Sequence, residues 1–299
     1  MKNLFWPVLI ILAIISITLF GGVKDYQTQT ATSTNIATPS TPAQQQATQQ
    51  QIAYNVQTAQ YQADQLQQQI AVEQAAKLAS QYKGQVTVQW GSYGSTNPNQ
   101  EYIEIDANSS NKNPVDITGW WLMSTSTGQR VYIPQSTALY FANAQNSVQD
   151  VILSPGERAY IVTGRSPIGF GFHTNVCSGY LSQKTSFTPR LYTSCPVVDT
   201  SSIPRTQNNV NCLDLLSGIG SCRTYSQTLN NTYSYECQQL VETKFNYQSC
   251  VDIHKNDSTF YSPKTWYVYL QRDNILWVPR YEVVTLYDTL GKPVQTISR

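Results

Sequence analysis

Charge is what this chain has least of. Only 12% of its 299 residues are charged, 19 Lys and Arg against 18 Asp and Glu, and the net charge is +1. Nucleic acids and anionic surfaces are held by a field of positive sign, and no such field exists here. Histidine is nearly missing as well: His173 and His254 are the only two, far apart in sequence. That leaves little material for a zinc site or for a Ser-His-Asp arrangement. Six cysteines occur without a single Cys-x-x-Cys pair, which removes the usual redox and zinc-finger spacings. After residue 23 there is no long apolar run.

Before residue 23 there is one. Residues 4–23 carry no charge over 20 positions, a length of about 30 Å as a helix, which matches a hydrocarbon core. Lys2 and the terminal amine precede it, so the start is expected to stay cytoplasmic and the rest to cross. The reading is an uncleaved anchor over residues 1–24. A cleaved signal peptide is the alternative, although no Ala-x-Ala closes the run and Leu19 and Phe20 sit where a cleavage site wants small residues. Either way the bulk is expected outside, at the cell surface or in a periplasm-like space. Cys177, Cys195, Cys212, Cys222, Cys237 and Cys250 agree with this: they are even in number and predict three disulfides in an oxidising compartment.

Residues 25–41, rich in Thr, Ser and Pro, read as a disordered linker. From Pro42 the composition turns to Gln and Ala, and Pro42 and Gly84 suit the two ends of a helix. The expectation is a helical stalk over residues 42–84, about 60 Å long. Ile52, Val56, Ala59, Ala63, Leu66 and Ile70 step alternately by four and three. This is a short coiled-coil seam, ended by Glu73 and Lys77, and it allows weak self-association.

From Gln85 the pattern becomes β. Val86, Val88 and Trp90 alternate with polar residues, and Ile103 and Ile105 share a face opposite Tyr102, Glu104 and Asp106. Val115 and Ile117 point one way; Gly119 then bends the chain, so Trp120 and Trp121 must face opposite sides, one as a core anchor and the other at an edge or exposed. Ser124 to Arg130 reads as a turn, Val131 to Pro134 as a short edge strand, and residues 151–163 as strand, Pro155-Gly156 turn and strand. The stretch from Gly164 to Gly169 lacks the glycine spacing of a dinucleotide loop and reads as a structural turn in which Arg165 bonds carbonyls or a carboxylate. The β pattern resumes at Thr265, with Trp266, Val268 and Leu270 on one face, a turn at Asp273-Asn274, further strand at residues 275–278 and 281–287, and a last hairpin through Gly291.

The alternating strand Gln100-Glu101-Tyr102-Ile103-Glu104-Ile105, the Gly119-Trp120-Trp121 turn, the Leu153-Ser154-Pro155-Gly156-Glu157 turn and the closing Leu286-Tyr287-Asp288 strand together resemble the lamin tail domain in its bacterial surface-protein form. The resemblance covers about residues 90–299. It implies an immunoglobulin-like β-sandwich, here discontinuous over residues 85–170 and 263–299. The two blocks together reach the roughly 100 residues such a sandwich needs, and neither does alone. Residues 171–262 then form a Cys-rich, disulfide-linked α-helical insertion with helical spacing near Cys212–Leu216, Tyr233–Thr243 and Tyr247–Lys255. Of the 15 pairings that six cysteines permit, closure of the loop at residues 176–198 favours Cys177–Cys195, adjacent antiparallel helices favour Cys222–Cys237, and Cys212 then remains for Cys250.

No catalytic set emerges. Both histidines read as structural or surface residues. Glu101, Glu104 and Asp106 hint at calcium, but alternating acids are the ordinary solvent side of a half-buried strand. No enzyme activity, cofactor or metal is expected. Lamin tail domains resemble attachment modules, which implies a membrane-tethered interaction protein that binds a protein or an envelope glycan. Trp120, Trp121 and Arg165 are the candidate contact residues. The alternative is an accessory or targeting subunit of a surface hydrolase. Nucleic acid is not expected as a partner.

Overall fold

The computed structural model describes residues 41–299, apart from Tyr93, Ala142, Asn143, Ser226, Thr228 and Asn230. The expected anchor at residues 4–23 and nearly all of the linker therefore lie outside the described residues. Among the described residues no helix is long and apolar enough to cross a membrane.

The chain divides after Ile70. Helix α1, Pro42–Leu78, has 37 residues, about 55 Å of helix. Its Ile52, Val56, Leu66 and Ile70 are all exposed, and its one ion pair, Glu73 to Lys77 at 2.8 Å, is too solvated to contribute more than a few tenths of a kcal/mol. The helix stops at Leu78, not near Lys83 as composition suggested. The reason lies in the next residues: the Ser80 amide donates to Pro293 O, and the Tyr82 ring lies 4.9 Å from Trp120, so packing claims this segment before the helix can use it.

Eleven strands follow among the described residues: β1 Val86–Trp90, β2 Tyr102–Ala107, β3 Val115–Asp116, β4 Trp121–Ser124, β5 Arg130–Tyr132, β6 Ile152–Leu153, β7 Arg158–Val162, β8 Phe172–His173, β9 Thr265–Tyr269, β10 Val283–Tyr287 and β11 Pro293–Ser298. They make a five-stranded sheet in the order β1-β2-β7-β9-β8, a four-stranded sheet in the order β11-β10-β4-β5, and the small pair β3-β6. Ile103, Ile105, Ala159, Ile161, Trp266 and Val268 from the first sheet share one buried cluster with Leu122, Val131, Val284, Leu286 and Val294 from the second. Trp120 is the core anchor of the tryptophan pair, 1% exposed, and Gly119 reaches φ +74 to place it there.

The β7–β9 pair is parallel, Tyr160 facing Tyr267, while its neighbours are antiparallel. Parallel neighbours need a long crossover, and this one carries the Cys-rich insertion. The insertion holds α2 Val210–Gly218, α3 Tyr235–Lys244 and α4 Tyr247–His254. Phe172 and His173, taken above as insertion, belong to the sheet as β8.

β9 lies in one sheet and β10 in the other, so the segment between them crosses the core. Continued strand was expected at residues 275–278, but no strand forms there. The buried carboxylate of Glu101 accepts from the amides of Leu276 at 2.8 Å and Trp277 at 3.2 Å. Glu282, fully buried, accepts from Val278 N at 2.8 Å, from its neighbour Val283 N and from Ser124 Oγ. Backbone amides that bond to carboxylates are not available to a ladder. At the open edge of β1, the Gln295 side chain gives its carbonyl to Val88 N and its amide to Val88 O, imitating a neighbouring strand.

All six cysteines are paired, as Cys177–Cys250, Cys195–Cys222 and Cys212–Cys237. The favoured pairing was wrong in all three bonds. It closed the first loop on itself and paired helices by adjacency, whereas α4 packs back toward the sheet and brings Cys250 beside Cys177. Cys212 and Cys237 share a separate small core with Leu216, Leu240 and Phe245.

Two measurements check this architecture. Glu101→Ala strands two buried amides and is expected to destabilise the protein by about 3 kcal/mol, read as a lowered urea midpoint at unchanged slope. Peptide mapping of unreduced protein should return the three observed bonds. By loop length, removal of Cys177–Cys250, 73 residues apart, should destabilise by about 4 kcal/mol, more than loss of Cys212–Cys237 at 25 residues.

Candidate functional site

The outer face of the five-stranded sheet is aromatic. Glu104, Tyr160, Tyr267 and Phe172 stand opposite one another across β2, β7, β9 and β8. The ring centroids are 5.2 Å apart for Tyr160–Tyr267 and 5.4 Å for Phe172–Tyr267, and Tyr102 adds a ring 5.5 Å from Tyr160. Thr265-Trp-Tyr-Val-Tyr is nearly continuous in apolar character, as befits a strand covered on both sides. Trp266 and Val268 fill the inter-sheet core; Tyr267 and Tyr269 fill a second core made with the insertion's Tyr180, Phe187, Leu191, Cys177–Cys250 and Cys195–Cys222. Burial pushes the Tyr267 and Tyr269 phenols well above their ordinary range, so both keep their protons.

The solvent-facing expectation for Glu104 also fails. It is buried, and Arg158 holds it at 2.6 Å and Asp106 at 2.8 Å. Burial first, and then Asp106, push the Glu104 carboxyl up, and Arg158 pulls it back only in part.

The insertion does not seal this face. Two clefts remain where residues 174–194 pass over the sheet. The first, about 530 Å³, is lined by Tyr160, Tyr267, Thr174, Asn175, Arg190 and Tyr192 among others. The second, about 840 Å³, lies beside Tyr102, Gln100, Phe187 and Arg190. Both volumes fall within the range of about 300–1,000 Å³ usual for small-molecule sites. Arg190 lines both. Its backbone is pinned to the sheet, because Tyr267 Oη lies 3.1 Å from Pro189 O and 3.2 Å from Arg190 O and donates to this pair.

The residues singled out from sequence lie elsewhere. Trp120 is enclosed in the core and cannot meet a partner. Trp121 stacks on Tyr287 at 3.9 Å and 6° on the β10 side, and the Arg130 guanidinium lies 4.6 Å over its ring on the β5 side. Its two faces are occupied, and the indole clads the outer face of the four-stranded sheet. Arg165 forms a two-pronged pair with Asp273 at 2.7 and 2.8 Å, which ties the turn after β7 to the turn after β9. His254 bonds Asp257 at 2.8 Å. His173 is buried between Tyr261 and Trp266, 4.7 and 4.5 Å from their centroids, with Nε2 3.4 Å from Glu157. No group of three His, Cys, Asp or Glu side chains suited to a metal occurs among the described residues.

Sequence reasoning missed Tyr160, Tyr267, Arg190 and Tyr192. A signal existed for Tyr267 in the unbroken apolar run of β9; nothing in the local sequence marks Arg190. No family model, no curated protein and no solved structure matches the chain.

The buried Glu157–His173 contact has a pH signature. Burial alone would raise the Glu157 carboxyl, but the His173 imidazole close beside it and the hydrogen bond from the Ser154 amide outweigh it and hold the group below its ordinary value of 4.5. A depressed carboxyl stabilises the fold above its unfolded value and loses that contribution as pH falls through the folded value. Wild-type protein should therefore exceed Glu157→Gln in unfolding free energy near neutrality, with the gap closing below about pH 4.5. A gap that stays constant down to pH 3 would refute the assignment.

Proposed function

We propose that the protein is a non-catalytic binding module of the lamin-tail kind, tethered to a membrane by residues 4–23 and facing an oxidising, extracytoplasmic space. Helix α1 serves as spacer. The two-sheet body is a rigid mount, and the insertion supplies the contact surface for an envelope glycan or a protein partner.

One observation carries this reading: the disulfide-bonded insertion leaves two open clefts on an aromatic sheet face whose backbone is fixed by paired strands. A ligand meeting such a surface encounters rings and hydroxyls already held in place, so little ordering cost is added on binding. Three disulfides support the compartment.

The test uses full-length protein in detergent, presented to isolated envelope glycans and to surface-protein extracts. Tyr192 is exposed and belongs to no buried cluster, so Tyr192→Ala should weaken capture about tenfold, the loss of roughly one stacking or hydroxyl contact, with an unchanged melting curve. Trp121→Ala should leave capture intact. Equal capture by Tyr192→Ala and wild type, together with loss in Trp121→Ala, would move the contact to the other sheet and reject the insertion as the binding surface.

A further inference from the structure

The two clefts share an unusual electrostatic pattern. Among the described residues neither lining contains an Asp or a Glu, and Arg190 is the one charged residue in either. Arg158 and Arg165 are neutralised by carboxylates nearby; Arg190 forms no ion pair among the described residues. Around it the walls are hydroxylic. Ser92, Ser182, Thr185, Ser186 and Thr193 line the larger cleft, and Ser194 and Thr265 the smaller. A hydroxyl both donates and accepts, so such walls match a ligand that is itself rich in hydroxyls. Tyr102 on one side of the Pro189–Arg190 ridge and Tyr160 and Tyr192 on the other offer ring surface.

We propose that the clefts on either side of the Arg190 ridge bind an acidic saccharide, a hydroxylated chain carrying carboxylate or phosphate groups, with Arg190 as the anion contact. The inference rests on the reading of the chain as an envelope-facing binding module. The chemistry favours this class over others. A peptide would ask for apolar side-chain pockets or a free strand edge, and the walls here are polar while the insertion lies over the strands. A nucleic acid would need several cations along its backbone, and there is one. A neutral glycan would leave the guanidinium unused. Because Tyr267 fixes the ridge backbone, the guanidinium springs from a pre-set position between the clefts. An arginine so placed can take a carboxylate or a phosphate through two parallel N–H donors.

The experiment uses full-length protein in nanodiscs of neutral lipid. The probes are a uronic-acid oligosaccharide, a glycerol-phosphate oligomer and a neutral glucan of equal length, titrated calorimetrically at low and high salt. At least one acidic probe should bind more tightly than the neutral glucan and weaken with salt. Arg190→Gln should lose roughly ten- to hundredfold in affinity, the value of a charged hydrogen-bond pair, and Arg190→Lys should lose less. Arg223→Gln, an exposed arginine beside a different pocket, should bind like wild type. Which acidic probe prevails distinguishes carboxylate from phosphate. Equal binding of the neutral glucan, unaffected by Arg190→Gln, overturns the acidic assignment and leaves the module reading standing. Failure of all three probes while a surface protein is captured in a Tyr192-dependent way overturns the saccharide and again spares the module. Failure of every probe and every extract overturns both.

Discussion

Two buried carboxylates hold the body together at the point where it is topologically weakest. The chain leaves β9 in one sheet and enters β10 in the other, and the thirteen residues between, 270–282, have no ladder of their own. An uncovered peptide in that position would carry orphan amides into the core. Glu101 takes the amides of Leu276 and Trp277, and Glu282 takes that of Val278 while also reaching Ser124 on β4. Arg299 closes the other side of the segment through the carbonyls of Trp277 and Val278, stacking its guanidinium 4.3 Å from the Trp90 ring centroid. Dehydrating a carboxylate costs several kcal/mol, and only convergent, short N–H and O–H bonds offset it. The offset is complete only in one geometry. These groups therefore act less as a source of stability than as a specification of where the second sheet sits over the first, with Trp277 as the plug between them.

The parallel β7–β9 pair has a different consequence. It makes a long excursion between those strands obligatory and returns it to the same sheet, so the excursion lands on that sheet's free face. An antiparallel sandwich normally leaves this face to water. Here it becomes the floor of a second core, which explains the tyrosines. A ring with one polar atom can be buried along its body and still meet a carbonyl at its tip, as Tyr267 does at the Pro189–Arg190 ridge. Sheet, ridge and disulfides are thus one assembly, and the position of Arg190 is a product of strand order.

This separates what local sequence could carry from what it could not. Alternation announced β1, β2 and the strand at Val115, because a half-buried strand writes its burial every second residue. Gly119 announced the split between Trp120 and Trp121, since a positive φ there leaves little choice. The end of α1 was not legible, because Ala79 to Lys83 are acceptable in a helix and only Trp120 and Pro293, distant in sequence, take them out of it. The disulfide pairing was not legible for a related reason: which cysteines meet depends on α4 folding back to the sheet, a long-range event. Glu104 misled because its alternation is that of a solvent-facing acid, and what encloses it comes from neighbouring strands, Arg158 of β7 above all. The Arg190 clefts combine residues 91, 92, 100 and 102 with residue 160 and with parts of 174–194 and 262–267, so no window of sequence contains them.

The division of labour between the two cores bears on what such a protein can present to its surroundings. Around β1 to β7 and β9 to β11 nearly every backbone group is fixed by a ladder, a carboxylate or a side-chain amide, and the aliphatic core tolerates little change in volume. The ridge at residues 185–194 has no ladder. It is held by Phe187 and Leu191 in the second core, by the Tyr267 hydroxyl and by the Cys195–Cys222 bond. Its exposed positions, Arg190 and Tyr192 among them, can therefore be exchanged without disturbing the strands, provided those few anchors stay. A surface built this way changes its ligand chemistry by side chain while its backbone keeps one shape, because covalent bonds and one phenol take over the role that hydrogen-bonded strands play in the rest of the body.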